Sequence, residues 1–152
     1  MHGADHESNR RAGTENILEI VGLGKACELA KKNMEQYASH MIKIRDLLHN
    51  ELKNLPYDLC LNGHPEKRLP NTLSIGFKNA EANHFLASMP ELAASAGAAC
   101  HSDSVHISSV LNAMKVPVEY AKGAVRFSTG RDTSEKDVER AVEMIKTVLL
   151  RD

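Results

Sequence analysis

The stretch A-V-R-F-S at residues 124–128 decides the fold. Apolar and polar residues alternate along it, which is typical of a β-strand with one buried face. Val125 and Phe127 are therefore expected to face a core, which leaves Arg126 and Ser128 on the opposite face. The sequence thus predicts a half-buried strand that carries a cationic side chain away from the core.

Helical patterns lie on both sides of this strand. Downstream, Ser134 and Asp137 form a capping-box-like start, and the apolar residues then recur every three or four positions: Val138, Ala141, Val142, Ile145, Val148 and Leu149. Upstream, residues 15–55 carry helical signals and a single apolar stripe: Tyr37, Met41, Ile44, Leu48, Leu52 and Leu55. A break or kink is expected near residues 31–33, and Pro56 ends the run.

Shorter elements fill the middle of the chain. Alternating patterns predict strands at residues 57–61 and 73–77, and a short third strand is expected at residues 92–96. Helical spacing occurs at residues 80–88 and 107–114. The order of elements predicts an α+β fold, in which a small mixed or antiparallel sheet of three to four strands is covered by helices on one side and preceded by long helices.

The domain organisation follows from the same patterns. Residues 1–13 are polar and are expected to form a flexible arm, followed by a single domain over residues 14–152. Gly22 and Gly24 weaken the first helix, so close packing against another element is the expected reason for them. No apolar run approaches the roughly 20 residues of a membrane span.

The composition excludes several classes of function. The 152 residues carry a net charge of -1, which argues against a nucleic-acid or membrane partner held by bulk charge. Aromatic residues make up 4% with no Trp, so base-stacking surfaces are not expected. The 3 cysteines have no close spacing, which favours free thiols in a reducing compartment. We therefore expect a cytoplasmic protein, with an organellar location left open.

Cys100 is the first candidate for chemistry. It lies in S-A-G-A-A-C-H-S-D at residues 95–103, between small residues and a polar loop, where a reactive thiol can be presented to a substrate. The alternative is a small buried thiol, which is common for a lone cysteine. Cys27, in a helix, and Cys60, on a strand, are interpreted as packing residues.

Arg126 and Thr14 are two further candidates. Arg126 could clamp a carboxylate through its bidentate guanidinium, and the alternative is an exposed arginine at a sheet edge. Thr14, at an expected helix start, could hydrogen-bond a phosphate together with backbone N–H groups, and the alternative is a plain helix cap. Arg131 follows Gly130 in a turn and is interpreted as structural.

A metal site is not expected. His101 and His106 lie near Cys100, but the sequence has no C-x-x-C motif and no carboxylate cluster with ligand spacing. The 8 histidines are scattered along the chain. We therefore assign no metal ligands.

Four motifs occur in order along the chain and together resemble a known family. They are R-R-A-G-T-E-N at 10–16, R-L-P-N-T-L at 68–73, S-A-G-A-A-C at 95–100 and V-R-F-S-T-G-R at 125–131. In this order they are similar to the C-terminal part of the pyridoxal-phosphate-dependent cysteine desulfurases and selenocysteine lyases, which are NifS-like proteins with the class-V aminotransferase fold. The resemblance implies the C-terminal small domain of a fold-type I enzyme.

The resemblance implies a role for each candidate residue. Cys100 matches the nucleophile that accepts sulfur or selenium from a cofactor-bound amino acid. Arg126 matches the arginine that binds the substrate α-carboxylate, and Thr14 matches the threonine that contacts the cofactor phosphate of the partner subunit. The implied cofactor is pyridoxal 5′-phosphate (PLP). The implied partners are a second subunit and a protein that accepts sulfur or selenium.

The family's PLP-binding lysine is expected to lie outside this chain. In the family it occurs in a Ser-x-His-Lys-type motif of the large domain, and no lysine here lies in such a motif. We therefore expect the chain alone to hold no PLP and to be inactive, with a large-domain partner or a homodimer completing the site. The alternatives are a non-enzymatic persulfide carrier or interaction module, and a fragment without function.

Overall fold

The computed structural model divides the chain into two units, residues 1–36 and 37–152. It describes residue 3, residues 6–97 and residues 107–150. None of the described helices is long and apolar enough to cross a membrane. The regular elements of these ranges are α1 (Ile17–Lys53), β1 (Leu59–Leu61), β2 (Thr72–Phe77), α2 (Ala82–Ala87), β3 (Ser95–Ala96), α3 (Ser109–Ala113), α4 (Val118–Ala121), β4 (Ala124–Ser128) and α5 (Glu135–Leu149).

The described strands form an antiparallel sheet in the order β1-β2-β4-β3. Strands β2 and β4 are central, with Leu73 paired with Phe127 and Ile75 with Val125. These four apolar side chains share one face of the sheet, because side chains directly opposite each other in an antiparallel pair point the same way. The prediction of an α+β fold with a small antiparallel sheet is confirmed.

The main core packs this face of the sheet against the second half of α1 and against α5. The spacing of Ile44, Leu48 and Leu52 places them on one face of α1, as the apolar stripe predicted. The rings of Phe77 and Phe85 lie 4.8 Å apart between centroids, which joins α2 to the core. The largest side chains that are almost fully enclosed are Phe77, Ile44, Leu52, Leu73, Ile75, Ile145 and Val125.

Helix α5 begins with the predicted capping box. The backbone N–H of Asp137 donates to Ser134 Oγ at 3.3 Å, and the backbone N–H of Ser134 donates to Asp137 Oδ2 at 2.8 Å. These bonds satisfy N–H groups that have no partner within the helix. Val138, Val142 and Ile145 are buried on the inner face. The predicted succession of a strand and an amphipathic helix is confirmed.

Helix α1 and strand β3 differ from the sequence-based predictions. Helix α1 continues through residues 31–33 without the expected break, and the side chain of Asn33 donates to the carbonyl of Leu29 at 2.9 Å while the helix continues. Strand β3 is shorter than expected, because the N–H groups of Leu92 and Ala94 are used in local turn bonds of 2.9 and 3.0 Å. These N–H groups are not available to a sheet.

Helices also lie on the second face of the sheet. Ala124 packs with Leu111 of α3 and Ala121 of the unexpected helix α4 in a small separate cluster. A Cβ atom at Gly76 of β2 would lie 2.7 Å from the carbonyl oxygen of Tyr120, so this close approach of α4 requires glycine. The predicted covering on one side is therefore only part of the arrangement.

The first half of α1 lies in the unit of residues 1–36, and its apolar side chains are exposed. Leu18 is 84% exposed and Leu23 is 66% exposed. A Cβ atom built at Gly22 or Gly24 would meet no heavy atom of this structure within 4 Å. The close packing predicted from these two glycines is therefore not found in the part of the chain that the structure describes.

Candidate functional site

Arg126 lies on strand β4 with its side chain exposed between two buried neighbours. Val125 is 0% exposed and Phe127 is 4% exposed, so the predicted alternation along this strand is confirmed. Ser74 of β2 and Ser95 of β3 are its partners on either side. Arg126 has no ion pair within the described ranges, and the two serines opposite it are small and uncharged. Its guanidinium is therefore available to an anionic ligand.

Ser74 is held beside Arg126 by Asn62, which directly follows strand β1. Asn62 is 5% exposed, its backbone N–H donates to the Ser74 carbonyl at 2.9 Å, and its side-chain Nδ2 donates to Ser74 Oγ at 3.2 Å. Sequence reasoning missed Asn62 and Ser74, because cross-strand pairing is not visible in a local pattern. The alternation of apolar and polar residues placed Arg126 on the polar face of its strand. The same kind of alternation is the sequence signal that comes closest to indicating Ser74.

The loop before β2 is fixed from two directions. Arg45 of α1 is 7% exposed, and its Nη1 donates to the carbonyl of Leu69 at 2.9 Å. The N–H of Thr129 donates to the carbonyl of Asn71 at 2.9 Å. These bonds hold the R-L-P-N-T-L motif against the end of β4. Arg45 was not predicted as a site residue, and the only local signal for it is its position directly after Ile44 of the apolar stripe.

Strand β3 carries the chain towards Cys100. The N–H of Gly97, the last residue described before residue 98, donates to the carbonyl of Ala124 at 2.7 Å. Cys100, His101 and His106 lie outside the described residues. The structure therefore shows the strand that precedes the candidate nucleophile, with Ser95 opposite Arg126, and leaves the role of Cys100 as a prediction.

Thr14 lies before helix α1, in the unit of residues 1–36. The helix begins at Ile17, and the side-chain oxygen of Asn16 accepts from the N–H of Glu19 at 3.4 Å. Asn16 therefore caps the helix, and the interpretation of Thr14 as the cap is wrong. The Thr14 carbonyl accepts from Arg11 Nη2 at 3.1 Å, while the residue itself is exposed.

Two other sequence-based interpretations were tested by the structure. Cys27 is exposed, so its interpretation as a packing residue is wrong, whereas Cys60 is half-buried on β1. Arg131 donates from Nε to Asp132 at 3.2 Å and lies 5.8 Å from the centre of the Tyr37 ring. The hydrogen bond to Asp132 raises the pKa of Arg131 above its ordinary value. Arg131 is thus engaged within its turn, unlike Arg126.

The chain belongs to the class-V aminotransferase family, whose sequence profile matches residues 1–141. It is similar to the cysteine desulfurase IscS of Methanosarcina thermophila, with 40% identity over 98% of this chain and 37% of that protein. The cysteine desulfurase IscS of Dictyoglomus turgidum is 36% identical over 97% of this chain and 40% of its own length. A solved NifS-like protein of Rickettsia africae superposes with a TM-score of 0.79 at 28% identity, over 98% of this chain and 39% of that chain.

These comparisons confirm the resemblance that the four motifs indicated. The chain is a NifS-like member of the class-V family, similar to cysteine desulfurases along almost its whole length. It spans about 40% of the length of the curated relatives that it matches.

Proposed function

We propose that this chain is the C-terminal part of a PLP-dependent cysteine desulfurase, in which Cys100 takes the sulfur from cysteine. Arg126 binds the substrate α-carboxylate, and Thr14 contacts the cofactor phosphate of a partner subunit. The observation that carries this proposal is the exposed guanidinium of Arg126, which forms no ion pair with any residue that the structure describes, in a chain of this family. Its relatives are named as cysteine desulfurases, which favours cysteine over selenocysteine as substrate.

The environment of Arg126 supports a carboxylate ligand. The residues opposite it, Ser74 and Ser95, are small hydroxyl residues that neither neutralise its charge nor cover its planar donor group. A carboxylate accepts two parallel hydrogen bonds from a guanidinium, which fixes the orientation of the substrate. The buried neighbours Val125 and Phe127 anchor the strand, so the position of the arginine is set by the core.

Cys100 supplies the acceptor thiol in this proposal. Its thiolate attacks the sulfur of the substrate cysteine, an S–S bond forms, and the bond between the substrate Cβ and sulfur breaks with its electron pair passing to carbon. Carbon takes up a proton, so the products are alanine and a persulfide on Cys100. The support for this step is the small-residue motif of the sequence and the five-residue separation of Cys100 from Ser95, the partner of Arg126.

The residues around Thr14 fit a phosphate group. Thr14 is exposed, follows Gly13 at a φ of 82°, and precedes the N-terminus of the long helix α1. The N-terminus of a long helix is a favourable setting for phosphate, because the N–H groups of its first turn lie at that end. When bound, PLP supplies an electron sink for the reacting amino acid. The lysine that carries it would come from the large domain.

A chimeric enzyme tests the assignment. The 152 residues replace the matching 37% of the Methanosarcina thermophila desulfurase, and the release of alanine from cysteine is measured. We expect an active chimera, no turnover with Cys100→Ser, and a KM for cysteine at least about tenfold higher with Arg126→Ala, because a charge-assisted hydrogen bond is lost. Cys27→Ser and Arg140→Ala are the matched controls, and they should leave the turnover rate and the KM for cysteine unchanged.

Two results would contradict the proposal. One is a Cys100→Ser chimera that turns over as fast as the parent. The other combines two observations. The chimera folds but is inactive, and the isolated chain accepts a sulfur atom from a separate donor protein, so that mass spectrometry finds a persulfide on Cys100. That second result would favour the carrier function instead.

A further inference from the structure

A basic pocket is formed by the loop that joins strands β1 and β2, together with the start of β2, outside the candidate substrate site. The cavity has a volume of about 170 Å³, below the roughly 300–1,000 Å³ of sites that hold drug-sized ligands. It is therefore suited to a small ion or to one functional group. Arg126 is not among the residues that line the cavity. The lining side chains with polar atoms are Asn62, His64, Lys67, Arg68, Thr72 and Ser74.

The loop geometry fixes which of these atoms are donors. The N–H groups of Glu66 and Lys67 both donate to His64 Nδ1, at 3.1 and 3.0 Å. Because Nδ1 accepts these bonds, the ring carries its proton on Nε2, which is then a donor. Ser74 Oγ accepts from the side chain of Asn62 at 3.2 Å, so its own O–H is left to donate.

Arg68 is held in place but keeps donor capacity. Its Nε donates to the His64 carbonyl at 2.9 Å and its Nη2 donates to the Asn62 carbonyl at 2.7 Å. The same guanidinium retains Nη1 without a hydrogen bond to any described residue, and neither Arg68 nor Lys67 forms an ion pair within the described ranges. The pocket thus combines two cationic side chains with neutral donors.

The surroundings carry uncompensated positive charge. None of the described residues that line the cavity is a carboxylate, and nearby Asp46 is already bound by Arg45, at 2.7 Å from Nη2 to Oδ1. Burial, followed by the positive charge of Arg45, lowers the pKa of Arg68 below its ordinary value. For His49, burial and then the positive charges of Lys53 and Arg68 lower the pKa in the same way. An anion would relieve this like-charge repulsion.

We propose that the basic pocket binds a small oxyanion of the phosphate class, either free inorganic phosphate or the phosphate group of a small metabolite. Arg68, Lys67, His64 and Ser74 supply donors from both the loop and strand β2, which suits a tetrahedral anion better than a planar carboxylate. The site is separate from that of Arg126, although Ser74 lines the pocket and pairs with Arg126 across the strands.

Titration with inorganic phosphate tests the site. The 152-residue chain is isotope-labelled, and its amide NMR shifts are recorded as phosphate is added. Sodium chloride keeps the ionic strength constant, because surface charge effects depend on it. We expect saturable shifts centred on Gly63, Lys67 and Arg68. Lys67→Glu should weaken the apparent affinity by at least about tenfold, the loss expected when a charge-assisted hydrogen bond is replaced by repulsion. A parallel titration with glycerol phosphate shows whether a phosphomonoester also enters, and either answer supports a phosphate-class site.

The controls separate this pocket from other cationic groups. Lys136→Ala removes an exposed lysine of α5 outside the pocket and should bind phosphate like the parent. The side chain of Lys67 is exposed, so Lys67→Glu is expected to fold, and its amide spectrum verifies this before titration. Three results would overturn the proposal. The shifts could fail to saturate, or they could be the same in Lys67→Glu as in the parent. They could also vanish in Arg126→Ala while Lys67→Glu retains them.

Discussion

The two halves of helix α1 carry similar residues and behave differently. In residues 17–36, Leu18 is 84% exposed and Leu23 is 66% exposed. In residues 37–53, Ile44 is 1% exposed and Leu52 is 0% exposed. Both halves are helical, and both are rich in aliphatic side chains. The difference therefore lies in what surrounds each half, and not in helix propensity.

This comparison shows where the folding free energy of the chain arises. Burial of apolar surface contributes about 25 cal/mol per Å², so an exposed leucine adds little while an enclosed leucine adds a large share of the stability. The second half of α1 meets the apolar face of β2 and β4 together with α5. Only there does the apolar stripe of the sequence become a core.

The largest expected effect comes from truncating a leucine in each half of the helix. Leu52→Ala should lower the free energy of unfolding by about 2–5 kcal/mol, because it leaves a cavity beside the sheet. Leu23→Ala is the matched control on the same helix and should change it by less than about 0.5 kcal/mol. Urea unfolding followed by circular dichroism measures both. Equal losses in the two variants would remove the distinction between the halves.

Alanine substitutions at two glycines should change the stability in opposite directions. A Cβ atom at Gly76 would lie 2.7 Å from the carbonyl oxygen and 2.9 Å from the Cβ of Tyr120, so Gly76→Ala should destabilise the fold by about 1–3 kcal/mol through overpacking. Gly22→Ala has free space around it and should stabilise α1 by about 0.5–1 kcal/mol.

Thermal unfolding and helix content check both glycine variants. The expected pattern is a lower Tm for Gly76→Ala and a higher helix content for Gly22→Ala. A loss of helix content in Gly22→Ala would mean that the first half of α1 is packed in solution, and it would weaken the contrast between the halves.

The smallest expected effect concerns the cap of α5 and its dependence on pH. The hydrogen bond from the Ser134 side chain, and then that from its backbone N–H, lowers the pKa of Asp137. A carboxyl group whose pKa is lower in the folded state stabilises the fold while it is ionised, above its pKa in the unfolded chain. This contribution is lost as the pH falls from about 3.9 through the lower folded-state value.

Asp137→Asn should therefore flatten the fall in stability within that acidic window. Urea midpoints of the variant and the parent, measured at a series of pH values, check this. The two proteins should differ most above the window, where the parent keeps the ionised cap. Identical pH profiles would show that packing alone, and not the capping box, sets the start of α5.

Some of the candidate site was predictable from local patterns. The alternation around Arg126 and the capping box at Ser134 and Asp137 depend on residues within a few positions of each other, and both are confirmed. The family followed from four motifs, because each keeps its residue types in sequence. The roles of Cys100, Arg126 and Thr14 remain predictions.

Other parts could not be predicted because they depend on residues far apart in the chain. The pairing of Arg126 with Ser74 and Ser95 is set by register, and a period of two gives a residue's face but not its neighbour. For the same reason, the hydrogen bonds of Asn62 and the hydrogen bond from Arg45 to the Leu69 carbonyl could not be predicted. Local turn bonds also shortened β3 against its apolar pattern.

The sequence by itself determined the helices, the faces of the strands and the family, because these follow from periodicity and from short motifs. The tertiary structure decided which apolar residues are enclosed, which side chains lie opposite Arg126 and that Arg45 of α1 lies near Arg68 of the basic pocket. Helices and strands are local arrangements of the backbone, whereas burial and neighbouring charge arise only when distant segments pack together.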